Sequence, residues 1–244
     1  MPKIIPNISV DCVVFGFDFN QLNVLLVERK LEDENTNEVI IDDWTLTGYH
    51  IYEEEDFDTA AARILKKLSG LDNIYLEQFY AFGGVNRVNS PKDLIWLKKQ
   101  KEGFSERIVT VGYFALIDNS TVTLSLNERN VKWFPINEVP ELGFDHQEIL
   151  NKALEKMRSK LRSEPIGFEL LPEKFSISHL QKLYESVLGT SFDRRNFRKK
   201  VMQMKYIIPL DEKQQGVRHK AAQLFIFSKE VYEKTKKERF DFSI

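Results

Sequence analysis

Residues 48–71 read GYHIYEEEDFDTAAARILKKLSGL, and their spacing decides how the first two thirds of this 244-residue chain folds. Phe57, Ala60, Ala61, Ile64, Leu65 and Leu68 recur at i, i+3, i+4, i+7, i+8 and i+11, the core-facing stripe of an amphipathic helix. Asp56 or Asp58 can cap its start, and Gly70 can take the left-handed position past its end. The acidic run Glu53–Asp56 reads as solvated charge leading into the helix.

Upstream, Val10–Phe19 and Leu22–Arg29 are β-rich runs around an Asn20-Gln21 turn, and the polar, acidic stretch Lys30–Asp43 reads as a mobile loop. Downstream, Ile74–Phe82, Ile108–Ile117 and Val122–Leu126 read as strands. The segment Val88–Glu106 is long for a strand connection. Leu94, Ile95 and Leu97 can make a short helix there; an excursion packing on the sheet is expected, with Trp96 over a pocket or partner surface as the alternative. Phe144-Asp145-His146 opens a helix to about Leu161, and Ser163-Glu164-Pro165 stops it because proline lacks the donor a helix interior needs. The domain boundary is expected there, giving domains of 1–162 and 163–244.

The helical stretch resembles a Nudix box, G-x5-E-x7-R-E-U-x-E-E-x-G-U with U apolar. Arg63, Leu65, Gly70 and Leu71 fall on its Arg, apolar, Gly and apolar positions, and Glu55 on its first Glu. Gly48 lies one residue before the pattern's Gly, which Tyr49 replaces. The three helix glutamates become Ile64, Lys67 and Leu68. Nudix hydrolases hold Mg2+ on those glutamates; Mg2+ wants oxygen ligands, and these three side chains have none. Trp44-Thr45-Leu46-Thr47-Gly48 and Ile136-Asn137-Glu138-Val139-Pro140 also resemble the flanks of such a domain. The resemblance implies an N-terminal Nudix-like α/β/α sandwich with a mixed sheet and no catalytic residue, metal or cofactor.

With 42% apolar and 30% charged residues the chain can bury cores and is a globular protein. Its net charge of −2 hides an asymmetry: residues 161–244 hold 17 Lys and Arg against 11 Asp and Glu, a basic back behind an acidic front. Cys12, the one cysteine, sits in an apolar run and reads as a buried thiol. The N-terminus does not resemble a signal peptide and no apolar run would span a membrane, so the cytoplasm is expected.

Residues 176–210 divide into two helices around a short turn. Ser178 and Gln181 make a capping box for the first, Leu180, Leu183, Tyr184, Val187 and Leu188 its stripe, and Gly189 its stop. Asp193 caps the second, and Phe197, Val201 and Met204 face inward. That leaves Arg194, Arg195, Asn196, Arg198, Lys199 and Lys200 outward, five cations whose mutual repulsion an anionic partner would relieve. In a helix-turn-helix the second helix enters the major groove; Arg suits guanine, Asn adenine, and Lys the phosphates. Tyr206–Pro209 and Gln223–Phe227 then read as strands flanking a polar tip, Asp211–Lys220, with Arg218 and Lys220 on or beside this wing.

Leu170-Leu171-Pro172, Phe175-Ser176, Leu180–Glu185 and Asp193–Lys200 match the signature of the Nudix-related transcriptional regulators, as does the Phe82–Arg87 segment. The resemblance implies an α+β protein: a non-hydrolytic Nudix-like sensor followed by a winged helix-turn-helix, acting as a homodimer on a palindromic double-stranded DNA operator. Two effector classes are known in that family, pentose sugars such as arabinose and ADP-ribose-like molecules. Tyr49 and His50 could fill the space of a nucleotide, so the sugar is expected, with ADP-ribose as the alternative. Glu28, Tyr49, Asn86 and Arg87 are the expected effector-binding residues. The rival readings are a residual hydrolase using Glu53, Glu54 and Glu55, and a protein-binding winged helix.

Overall fold

Strand β1 (Ile4–Phe17) carries an aspartate inside an otherwise apolar run, and its alternation organises the first unit of the molecule. A computed structural model of the chain describes residues 3–69, 74–88, 90–99, 107–118, 130–216 and 221–235. The chain divides into two units: Met1–Phe15, Asn23–Leu116 and Val122–Lys156 form the first, and Gly16–Leu22, Ile117–Thr121 and Met157–Ile244 the second.

The first unit is built on a seven-stranded sheet containing β1, β2 (Leu22–Glu32), β3 (Val39–Thr45), β4 (Thr47–Tyr52), β5 (Tyr75–Phe82), β6 (Val109–Ile117) and β7 (Val131–Pro135). Its order is β3-β2-β1-β6-β5, with β4 paired to β1 and β7 to β2. Helix α1 (Phe57–Ser69) lays Ala60, Ala61 and Ile64 against Val10 and Cys12 of β1, Ile51 of β4, and Val111 and Tyr113 of β6. Burying a side chain such as Ile64 stabilises by about 1.5–3 kcal/mol. Asp56 rather than Asp58 caps α1, its carboxylate accepting from the Thr59 amide at 2.8 Å. Asp58 instead accepts from the Tyr113 hydroxyl at 2.5 Å. Cys12 is fully buried, and burial pushes its thiol pKa well up, so it is inert.

One connection departs from the sequence reading. The stretch Lys30–Asp43 is not a mobile loop: it completes β2 and opens β3, pairing Leu31 with Ile41 and Arg29 with Asp43. Asp33 closes the turn, its carboxylate accepting from the amides of Asn35 and Thr36 at 2.9 and 3.0 Å. The acidic composition masked a period-two pattern in which Leu31 and Ile41 are buried. The segment Val88–Glu106 holds the short helix that Leu94, Ile95 and Leu97 suggested, α2 (Pro91–Lys99). The expected strand Val122–Leu126, Gly70 and the side chain of Leu68 lie outside the described residues.

Helix α3 (His146–Ser163) ends just before Pro165, which starts a 3-10 turn to Leu170. In the second unit, α4 (Ile177–Leu188) is capped by Ser176, whose side chain accepts from the His179 amide; the expected Ser178–Gln181 capping box is not formed. Ser178 bonds the Ser176 hydroxyl instead, and Gln181 donates to Glu185 and to the Phe192 carbonyl across the turn. Gly189 ends α4 at φ 66°, the left-handed position. Helix α5 (Arg194–Gln203) is capped by Asp193 through the Asn196 amide and packs Phe197 and Val201 inward, both fully buried, while Met204 is half-buried. Strands β8 (Ile207–Lys213) and β9 (Gln223–Phe227) form the antiparallel wing, and α6 (Lys229–Thr235) follows. The wing reaches further than expected, since β8 continues through Lys213. Among the described residues no helix is long and apolar enough to cross a membrane.

Candidate functional site

Alternation along β1 sends Val10 and Cys12 toward α1 and Asp11 to the opposite face, where it lines a cavity of about 100 Å³. Ser9, Tyr49, His50, Arg87, Trp96, Phe144 and His146 share the wall. Asp11 pairs with Gly48 across β1 and β4, and a Cβ at Gly48 would lie 1.9 Å from the Asp11 carboxylate oxygen. Glycine is therefore required there for Asp11 to face the cavity. A second, open cavity of about 570 Å³ shares Arg87 and Phe144 with the first and is lined by Tyr80–Asn86, Asp145 and Glu148.

Two buried guanidiniums fix this wall. Arg87 forms a bidentate pair with Asp145 (2.8 and 2.7 Å), and its Nη2 lies 3.6 Å from Asp11. Burial opposes its charge, but these carboxylates outweigh it and raise its pKa. Arg29, 2% exposed, grips Asp43 through two bonds of 2.7 Å and Asp93 of α2 at 2.6 Å, and lies over the rings of Phe144 (4.6 Å) and Trp96 (5.6 Å). Gly143 leaves room for it: a Cβ there would lie 2.4 Å from Arg29 Nη2. Breaking a buried pair by removing one partner costs about 3–5 kcal/mol, so the Arg29–Asp93 contact anchors α2 over the cavity. His146 Nδ1 accepts from the Leu46 amide at 2.9 Å, which places the ring proton on Nε2, 3.6 Å from Asp11. Burial holds its pKa below the ordinary value, so the ring is neutral.

On the second unit, Arg194, Arg195, Asn196, Arg198 and Lys199 are exposed along α5 and Lys200 is half-buried. Asp193 fixes the helix start, so the Arg and Asn side chains occupy its first turn.

Residues 6–153 match the NUDIX domain family. The chain belongs to the Nudix family. Residues 167–227 match the NrtR DNA-binding winged helix domain, so it is an NrtR-like Nudix protein with a winged helix. It is similar to NrtR of Shewanella oneidensis in a crystal structure with a 27mer DNA: TM-score 0.68, 26% identity, covering 96% of this chain and 97% of that one. It is 27% identical over 233 residues to the ADPR responsive transcriptional repressor NtrR of Acinetobacter baylyi, covering 93% of this chain and 84% of that protein. A MutT/nudix family protein from Enterococcus faecalis shares the fold at TM-score 0.64 and 20% identity, over 92% and 88% of the two chains.

The Nudix box of this chain does not fit the metal of the Nudix hydrolases. Ile64 is 1% exposed within the α1 core, and the Lys67 ammonium faces the Tyr49 ring at 5.8 Å. Glu55 is consumed by Arg63, which donates to both its oxygens at 2.5 and 2.7 Å and lies over the Tyr52 ring. That hydrogen bonding lowers the Glu55 pKa and ties the turn before α1 to the helix. Glu53 pairs with Lys3, and Glu54 is exposed. Among the described residues no group of three or more His, Cys, Asp or Glu is placed to hold a metal ion.

Of the expected effector residues, Tyr49 and Arg87 line the smaller cavity; Glu28 and Asn86 do not. Val27 faces that cavity, so strand alternation turns Glu28 away, where it accepts from Asn130 at 2.6 Å. Asn86 borders the open cavity. Trp96 lines the smaller cavity, as the alternative reading of its segment had it. Arg218 and Lys220 lie outside the described residues. Sequence reasoning missed Asp11, Arg29, Phe144 and His146. Asp11 was legible as a charge inside the apolar run of β1, and the Arg29 carboxylates lay within segments read as loop and excursion.

Proposed function

We propose that this chain is a DNA-binding transcriptional repressor whose Nudix domain senses a small molecule and does not hydrolyse it. The cationic, exposed face of α5 carries the reading: Arg194, Arg195 and Asn196 read base edges, and Arg198, Lys199 and Lys200 meet phosphates. The similarity to the NrtR that was crystallised with DNA supports this. Residues 1–162 act as the sensor and 163–244 as the DNA-binding domain. A homodimer presents two α5 helices to a palindromic operator in the cytoplasm.

For the effector we adopt an ADP-ribose-like molecule over a free pentose. The support is the Acinetobacter baylyi relative, whose name describes an ADPR-responsive repressor, and the two cavities that meet at Arg87 and Phe144, which suit an extended ligand. The non-hydrolytic reading rests on Ile64 and Lys67 at metal-ligand positions of the box.

The test is fluorescence anisotropy on DNA from upstream of the protein's own gene, at fixed salt, titrated with ADP-ribose, arabinose and xylose. Tight binding that ADP-ribose alone releases is expected. Release by a pentose alone would replace the effector; Mg2+-dependent cleavage of ADP-ribose would overturn the non-hydrolytic reading.

A further inference from the structure

The Asp11 carboxylate stands out among the buried groups of the first unit. It is 6% exposed and lines the smaller cavity, with the Arg87 guanidinium Nη2 and the His146 Nε2 each 3.6 Å from one of its oxygens. Arg87 is already held by Asp145, and His146 is neutral. Behind the cavity wall, Asp43 and Asp93 pair with Arg29, and Asp11 and Asp145 with Arg87. An ionised carboxylate offers about four lone-pair sites, so one met by side-chain contacts of 3.6 Å keeps capacity to accept from further donors.

We propose that Asp11 is the specificity-determining residue of the effector site and accepts hydrogen bonds from the vicinal hydroxyls of a furanose ring, the terminal ribose of the ligand. This rests on the reading of the Nudix domain as a sensor of an ADP-ribose-like molecule. Beside the Asp11 carboxylate in the smaller cavity a phosphate is repelled, whereas neutral hydroxyls donate to Asp11 without adding charge. The cavity of about 100 Å³ matches a sugar ring and not a nucleoside, so the ring that enters is the one at the free end of the ligand. The Tyr49, Trp96 and Phe144 rings flank it, and the remainder of the ligand extends past Arg87 and Phe144 into the open cavity. Gly48 belongs to the same device, because any larger residue would displace the carboxylate.

Isothermal titration calorimetry of the full chain with ADP-ribose, ADP, ribose and arabinose tests this, on wild type, Asp11→Asn and Asp11→Ser. ADP lacks the terminal ribose. Wild type is expected to bind ADP-ribose at least about tenfold more tightly than ADP, and both variants to lose about tenfold or more for ADP-ribose with ADP affinity unchanged, the size of a hydrogen bond to a charged group. Equal losses for ADP and ADP-ribose, or no loss for either, would overturn the assignment. Asp11-dependent binding of ribose or arabinose with no binding of ADP-ribose would keep Asp11 as the diol reader and overturn the nucleotide reading. No binding of any probe would overturn both.

Discussion

On the proposed reading, single side chains divide into those that meet DNA and those that meet ligand. Arg195 is exposed on α5 in a helix held by Asp193 and by the buried Phe197. Arg195→Glu is therefore expected to change stability by less than about 0.5 kcal/mol. Operator affinity should fall by about tenfold or more, the size of a lost base contact compounded by charge reversal. Anisotropy and thermal shift on the same sample separate the two: ligand-induced stabilisation persists, and its loss would mean a damaged fold. The histidines govern acid lability. Burial holds His50, His146 and His179 below their ordinary value of 6.5. Below about pH 6.5 the unfolded chain takes up protons at these residues that the folded chain refuses, so stability is lost as pH falls through that value. The melting temperature should drop between about pH 7.5 and 5.5, and His146→Gln should flatten the drop.

At the scale of elements, α1 tests whether the box can be repaired. Lys67 is exposed and Lys67→Glu should fold, whereas Ile64→Glu places a carboxylate among Val10, Cys12, Ile51 and Val111. An uncompensated buried charge costs about 3–5 kcal/mol, so denaturant titration should show a large loss for Ile64→Glu and none for Lys67→Glu. A stable, Mg2+-dependent hydrolase carrying both changes would contradict the core assignment. Elements with a clean period were legible in the sequence: the α1 stripe, the α4–α5 pair and the β1 and β6 runs all stand where their periodicity put them. Those built around buried charge were not. The β2–β3 hairpin looked like an acidic loop because Asp43 belongs to Arg29, and the anchoring of α2, whose short helix the sequence did suggest, was hidden because its inward residue is Asp93. Composition cannot tell a solvated carboxylate from one paired across many residues of sequence, so the cavity wall stayed hidden while the exposed cationic face of α5, a local feature of one helix, did not.

For the whole molecule the decisive quantity is the salt dependence of operator binding. Each phosphate neutralised contributes a slope of roughly −0.9 in log affinity against log salt. Lys199→Gln should weaken binding to operator and unrelated DNA alike and flatten the slope by about one for each Lys199 in the complex. Analytical ultracentrifugation with a palindromic operator should give two chains per duplex, and one chain per duplex would count against the dimer. The basic charge lies in residues 161–244, so residues 1–162 alone should show no salt-sensitive DNA binding.

The 1.9 Å approach between the Asp11 carboxylate and the space above Gly48 also makes a statement about lineages. The two positions cannot drift independently: a side chain gained at 48 evicts the carboxylate, and a carboxylate lost at 11 releases the glycine. Among relatives they should change as a pair, and chains that keep both should answer to the same kind of molecule. The pair then becomes a two-letter label, readable without any structure, for sorting these regulators by what they sense.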